Sequence, residues 1–454
     1  VPVMARYREN HSEAEAREYI DAMAGTFGVT LFVVTLIGVI ASPLLVIAVA
    51  PGFIGDGGDF DLAALMLRFT FPYLLFISLT AFAGGVLNTY GKFGVPAFTP
   101  VILNVVLIAA AILVSPYLDE PIMALAYAIF VAGVLQLLFQ LPALARIKVF
   151  PRPKWRPGNK GVQRAFKLML PAIFGSSVAQ INVLISGIVA SLLPVGSISY
   201  LYFSDRLMEF PLGLFGIALA TVTLPYLSRL WANDHKDTFA HTLDWSMKLA
   251  VLIAVPAALG LILLASPFVT TLFYGDAFGS DKVAMTVIAL QAYAVGLVGF
   301  SFVKVLVPAF FAREDTRTPV RIGIVSLVVN LALGISLAWY LTQAGYAGPH
   351  VGLAAATSAA AIINALLLYR GLHKAGVIRH GRGWGLLLLR VLCANAAMCA
   401  VLTVFDRSSS WWFEVANLQR VGWLMLTVAA GGGVYFLVLA VLGMRFADFR
   451  LKQS

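Results

Sequence analysis

Residues 200–230, YLYFSDRLMEFPLGLFGIALATVTLPYLSRL, form an apolar run long enough to cross a bilayer, yet Asp205, Arg206 and Glu209 lie inside it. Arg206 and Glu209 are three residues apart, Asp205 and Glu209 four. That spacing puts all three on one helix face. An arginine at the bilayer centre costs about 2.5–3.5 kcal/mol on insertion scales. Such a charge faces a bundle interior or a wet cavity, and it marks a site for a polar or anionic group. The competing reading is a structural Arg–Glu pair that locks two helices together. Lys304 is a second cation inside an apolar segment. It either joins the site or snorkels its ammonium to the nearer membrane face. Arg68, close to the end of its segment, reads as snorkelling outward.

The chain that positions these groups has 454 residues, of which 60% are hydrophobic and 12% charged. Its mean hydropathy is +0.89. This composition predicts an all-α, polytopic membrane protein and excludes a soluble domain. Ten-residue alternating strands are absent, which argues against a β-barrel. Twelve apolar segments are predicted, at 19–50, 60–90, 96–116, 121–146, 165–194, 197–230, 242–272, 284–312, 320–343, 350–370, 384–405 and 421–444. Prolines inside them, among them Pro43, Pro72, Pro211 and Pro308, are sites for kinks.

The net charge of +10 suggests nucleic acid only until its distribution is read. Of the 32 Lys and Arg, 26 fall in one alternate set of connections. The other set holds Lys282, Arg407 and Arg420. The positive-inside rule places the rich set, and both ends of the chain, in the cytoplasm of a multi-pass inner-membrane protein. No nucleic-acid partner is expected. The most basic connection, 146–167, is rich in Pro and Gly. It reads as a topology anchor and linker, or as a contact for anionic membrane lipids. Cys393 and Cys399 read as inert packing residues, and no His or Cys spacing suggests a metal. No cofactor is expected.

The chain also repeats. Ala41-Ser42-Pro43 closes one segment, and Ala265-Ser266-Pro267 closes another 224 residues later. Thr99-Pro100-Val101 and Thr318-Pro319-Val320 each open a segment after a basic connection, with Asn104 and Asn330 further along. Both halves enter the membrane in the same sense, which predicts a parallel repeat. The second half carries two segments, 165–230, before its Ala-Ser-Pro helix. Their counterparts would precede Val1, where no initiator Met stands. Fourteen helices are therefore expected in an intact protein, about twelve of them here.

Three stretches, DRLMEFP (205–211), KVLVPAFFAREDTRTPV (304–320) and FPYLLFISL…LNTYGKFGVPAFTP (71–100), resemble the MurJ (MviN) family of lipid II flippases. These belong to the multidrug/oligosaccharidyl-lipid/polysaccharide exporter superfamily. The resemblance implies two parallel six-helix lobes around a V-shaped cavity, followed by two C-terminal helices. On this sequence that means a first lobe at 1–150, lacking its first two helices, a second lobe at 151–375 and the helix pair at 376–454. It implies no enzyme activity. It implies transport of lipid II, a prenyl pyrophosphate carrying a disaccharide peptide, from the inner to the outer leaflet for cell-wall synthesis. The arginine of the D-R-L-M-E-F-P stretch is implicated in substrate handling, and Arg206 matches it, with Glu209 one turn on. Arg206 would pair with the pyrophosphate. Glu209 and Asp205 would hold or release its guanidinium, and Lys304 would be a second cation. Some members bind sodium through an acidic residue in the second lobe. Here 165–194, 320–343 and 350–370 offer only neutral groups such as Gln180, Asn182, Asn330 and Asn364. A septal cell-wall synthase, consuming lipid II outside, is the expected neighbour.

Two other classes stay open. A sister exporter would carry another prenyl-linked oligosaccharide, or cationic drugs, for which acidic cavity groups would suit better than Arg206 and Lys304. A membrane glycosyltransferase would need carboxylates or metal ligands gathered in one loop, and no Asp-x-Asp pair supplies them.

Overall fold

Ser12 starts the first described helix. Its hydroxyl accepts from the Glu15 amide at 3.3 Å, and the Glu15 carboxylate accepts from the Ser12 amide at 2.9 Å. This reciprocal cap satisfies two donors that a helix start leaves open. The computed structural model describes residue 4 and residues 12–54, 59–213, 218–378 and 383–444. The chain divides into two compact units, Val1–Leu184 and Ile185–Ser454.

In the first unit the helices are α1 (Glu13–Ile40), α2 (Ser42–Val49), α3 (Asp59–Thr70), α4 (Tyr73–Thr89), α5 (Gly94–Leu113) and α6 (Met123–Arg146). The division falls inside α7 (Lys160–Ser191). The second unit continues with α8 (Ser197–Pro211), α9 (Ala218–Ala232), α10 (Lys236–Leu263), α11 (Ala265–Phe273) and α12 (Ser280–Phe311). It ends with α13 (Arg317–Gln343), α14 (Val351–Lys374), α15 (Trp384–Phe405), α16 (Ser409–Glu414) and α17 (Asn417–Val441). Among the described residues, ten helices are long and apolar enough to cross a membrane. The segment expected at 197–230 holds two 15-residue helices, α8 and α9, on either side of residues 214–217. α8 carries Pro211 in its last turn, and Leu212 keeps helical backbone angles (φ −63°, ψ −39°).

The internal repeat is visible in the backbone. α1 has 28 residues, yields at Ala41 (φ −83°, ψ 7°) and resumes as the 8-residue α2. α10 also has 28 residues, yields at Leu264 (φ −97°, ψ 15°) and resumes as the 9-residue α11. The Ala-Ser-Pro triplets therefore sit where a short helix opens rather than where a span closes. A proline is tolerated in a helix's first turn because the N–H it lacks would have had no partner there. Further on, α6 and α14 have 24 residues each. They follow Pro121 and Pro349 at the same distance.

Within the first unit, Tyr19, Ile20 and Met23 of α1 pack on Val86 and Leu87 of α4 and Leu144 of α6. A buried polar seam joins α4, α5 and α6. Tyr73 Oη donates to Gln136 Oε1 (3.2 Å), Gln136 Nε2 to the Thr99 carbonyl (3.1 Å) and Gln140 Nε2 to Thr99 Oγ1 (3.0 Å). Such bonds hold helices together where lipid offers no hydrophobic drive. Arg68, expected to snorkel outward, is exposed and donates from Nε to the buried Ser42 Oγ at 3.1 Å.

The basic connection 147–159 is strapped to α1. Asp21 Oδ1 accepts from the Arg152 amide (2.8 Å) and the Asp21 carbonyl from the Lys154 amide (2.9 Å). Lys154 Nζ lies 3.1 Å from Asp21 Oδ2, and Arg156 pairs with Glu18. The strap passes so close that a Cβ at Gly25 would overlap the Lys154 backbone. Gly25→Ala therefore lifts the strap, with an overpacking cost of about 1–3 kcal/mol. The expected readout is faster tryptic cleavage after Lys154 in membrane vesicles with the cytoplasmic face outward. Unchanged protection would refute this role for Gly25.

In the second unit α12 is the hub, packed against α8, α9, α10, α11 and α14. Gly296 and Gly299 let α14 approach it. A Cβ on either would come within 2.6–2.8 Å of Ser358 or of the Ala361–Ile362 backbone. Small residues at a membrane-helix crossing permit this closeness. Leu201 and Met208 of α8 join Leu290, Tyr293 and Leu297 of α12 in the unit's largest apolar cluster. That cluster fixes the helix carrying Arg206.

Candidate functional site

α8 presents its charges on two sides. Each residue advances a helix by about 100°, so Asp205, Arg206 and Glu209 span an arc wide enough to straddle the packing boundary. Leu201, Ser204 and Met208 are buried, while Arg206 and Glu209 are exposed. Ser204 Oγ donates to the Thr286 carbonyl of α12 at 2.8 Å and sets the register of the two helices. Asp205 is half-buried beside this interface, within electrostatic reach of Tyr293. The shared face expected from the sequence thus narrows to Arg206 and Glu209.

Arg206 Nη1 donates to Glu209 Oε2 at 2.7 Å. Their side chains are 58% and 50% exposed. A pair this open contributes about 0–1 kcal/mol, so another anion can replace the carboxylate at little cost. The Arg206 guanidinium carbon also lies 5.2 Å from the centroid of the Tyr202 ring, one turn back. The sequence reading passed over Tyr202. Its signal was an aromatic residue four positions before the arginine, within the reach of helix neighbours.

Lys304 is exposed on α12 and is not brought to Arg206. α12 runs unbroken from Ser280 to Phe311. Ser204 meets it at Thr286, and the eighteen residues from there to Lys304 rise about 27 Å. The two cations occupy separate levels, with Lys304 within two turns of the end of α12.

A second charged group, absent from the sequence expectations, lies where α10 meets α15. Asp244 Oδ2 is 2.7 Å from Lys248 Nζ, and Asp244 Oδ1 accepts from Trp384 Nε1 at 2.7 Å. Lys248 Nζ lies 5.7 Å from the centroid of the Trp384 ring. The Asp-x-x-x-Lys spacing at the entrance to an apolar segment was the available signal. Elsewhere, Arg407 lies over the Trp423 ring (4.3 Å) and the buried Arg420 over Tyr274 (4.9 Å). Both cysteines are free. Cys393 is exposed on α15 rather than packed, while Cys399 adjoins the cluster of Val391 and Tyr435. Among the described residues, no group of three or more His, Cys, Asp or Glu is placed to hold a metal.

Comparison with known proteins bears on the family and the fold. Residues 1–421 match the family described as lipid II flippase MurJ. A probable lipid II flippase MurJ of Vibrio cholerae is 43% identical over 99% of this chain and 86% of its own length. One of Haemophilus influenzae is 40% identical over 98% and 88%. A lipid II flippase MurJ of Burkholderia cenocepacia is 37% identical over 100% and 88%. The fold is similar to that of a solved lipid II flippase MurJ in an inward closed conformation, with a TM-score of 0.76 and 24% identity. That match covers 97% of this chain and 87% of the other. It is also similar to an inward-facing multidrug resistance MATE family transporter of the MOP superfamily, with a TM-score of 0.65, 15% identity and coverage of 83% and 85%. A family match over residues 1–421 and sequence identity across nearly the whole length agree, and the chain belongs to the MurJ family of lipid II flippases.

Proposed function

We propose that this protein carries lipid II from the inner to the outer leaflet of the cytoplasmic membrane by alternating access, supplying cell-wall synthesis, and that Arg206 receives its pyrophosphate. The observation that carries the assignment is the half-exposed Arg206–Glu209 pair on α8. Arg206 lies nine residues, about 14 Å, from the start of α8, close to half of a hydrocarbon core of about 30 Å. A pyrophosphate entering hydrocarbon alone would lose its hydration without compensation. A guanidinium at that depth returns charge-assisted hydrogen bonds, two at a time from its planar fork.

In the resting state Glu209 occupies the fork. Arriving pyrophosphate displaces it, and departure of the substrate restores the pair. The exchange is close to balanced because one anion replaces another on the same donors. Asp205, set back beside α12, adds negative charge without occupying those donors. Lys304 meets the anion at a different depth, as a second station rather than a partner in one clamp. Its position near the end of α12 suits entry or exit of the head group. The protein moves its substrate and makes or breaks no bond in it.

The lobes run 1–150 and 151–375, with the C-terminal pair at 376–454. The side bearing 26 of the 32 basic residues faces the cytoplasm, as do both ends of this chain. Anionic lipids meet that face, and a septal synthase consumes lipid II on the other.

Depletion of the native flippase in a rod-shaped Gram-negative cell tests this function. Lipid II at the outer leaflet is measured by cleavage with an externally acting toxin. The wild-type protein should restore cleavage and rod-shaped growth. A well-expressed protein that restores neither would remove lipid II as the cargo.

A further inference from the structure

Arg206 is held from two directions that differ in kind. Glu209 takes an in-plane donor, at 2.7 Å. Tyr202 offers the face of its ring, and this contact needs no acceptor. An incoming anion competes with Glu209 for the same donors. It does not compete with the ring. At the moment of exchange Glu209 must let go, and the long arginine side chain, with several rotatable bonds, would then be free to leave the site. The ring is a contact that the exchange leaves in place, and it can keep the guanidinium aimed.

We infer that Tyr202 is a positioning residue for lipid II transport: its ring is the platform that keeps the Arg206 guanidinium in place while the pyrophosphate displaces Glu209. The inference rests on the assignment of Arg206 to the pyrophosphate. The platform is itself braced. Phe203 lies 5.8 Å from the Tyr202 ring at 71°, and Phe203 in turn packs on Phe273 at 4.6 Å and Phe278 at 5.7 Å. Those rings adjoin the apolar cluster that seats α8 on α12. Tyr202 itself is 56% exposed, so its loss opens no core cavity. An aromatic residue serving only as a lipid-facing anchor would have no coupling to Arg206, and that difference is measurable.

Purified protein in detergent is titrated with lipid II, and export is measured in depleted cells with the same variants. Tyr202→Leu should weaken lipid II binding about fivefold, the scale of a partly desolvated cation–π contact. Export should fall with it while the amount of protein in the membrane holds. Tyr202→Phe, which keeps the ring, should restore binding to within about twofold of wild type. Tyr202→Met, a second non-aromatic change, should behave as leucine does and guards against a folding defect peculiar to one variant. In an Arg206→Gln background, Tyr202→Leu should cause no further loss. Wild-type binding by both non-aromatic variants would overturn the platform, as would equal losses for Leu and Phe or an undiminished loss in the Arg206→Gln background. If Arg206→Gln itself binds lipid II normally, the assignment of Arg206 has failed. If Arg206→Gln is defective and Tyr202→Leu is not, the platform alone has failed.

Discussion

With the pyrophosphate on Arg206 as proposed, Arg206→Ala should lower lipid II export at least a hundredfold while the protein remains in the membrane at its normal level. Two losses combine. The substrate forfeits its charge-assisted hydrogen bonds, each worth about 1.5–3 kcal/mol. Two of them come to 3 kcal/mol or more, about a factor of a hundred at 1.4 kcal/mol per tenfold. The local charge also changes sign. Arg206 and Glu209 together are neutral, but Glu209 alone is an anion that repels pyrophosphate. Stability should hardly move, because the pair is half-exposed and contributes about 0–1 kcal/mol.

The sign argument makes this prediction sharper than a simple loss. Arg206→Ala combined with Glu209→Gln should export better than Arg206→Ala alone, because the repelling carboxylate is gone. Arg206→Lys keeps the charge but not the planar fork, and should fall between wild type and Ala. The measurement is toxin-accessible lipid II at the outer leaflet. Wild-type export by Arg206→Ala would end the assignment. A double variant no better than the single one would show that Glu209 does not face the anion.

Much of the architecture was legible because lipid imposes simple rules. Runs of about 20 apolar residues must be helices there, and the alternation of Lys and Arg between successive connections fixed their register. What the rules do not specify is where a helix yields. Pro43 and Pro267 were visible, but a proline marks either the end of a span or the first turn of a new one, and here both open α2 and α11. On α8, spacing anticipated the contact between Arg206 and Glu209. It overstated Asp205, because a residue 100° away on a helix can already lie in the packing face. It also grouped Lys304 with Arg206 by charge alone. Depth along α12 becomes readable only once the Ser204–Thr286 bond sets the register. The Asp244 group escaped because its third member, Trp384, lies 140 residues away.

Removing the Asp244 carboxylate should have the largest effect on stability. The Asp244 and Lys248 side chains are 7% and 27% exposed, and Trp384 Nε1 donates to the second carboxylate oxygen. Asp244→Leu takes from the Lys248 ammonium the carboxylate 2.7 Å away and from the Trp384 indole N–H the oxygen that accepts it. Breaking a buried ion pair from one side costs about 3–5 kcal/mol. Asp244→Asn keeps an acceptor for Trp384 and should lose less. Trp384→Phe removes one hydrogen bond to a charged group and should cost about 1.5–3 kcal/mol. Thermal unfolding of the purified variants gives the order. Asp244→Leu melting with wild type would show that this group fastens nothing. The comparison with α8 turns on enclosure. Both sites join a carboxylate to a cation at 2.7 Å within one helix. In α10 the surrounding protein makes the loss of one partner costly, which fastens the start of α15. On α8 the pair is half-exposed, and the same chemistry becomes exchangeable, as a carrier that must release its substrate requires.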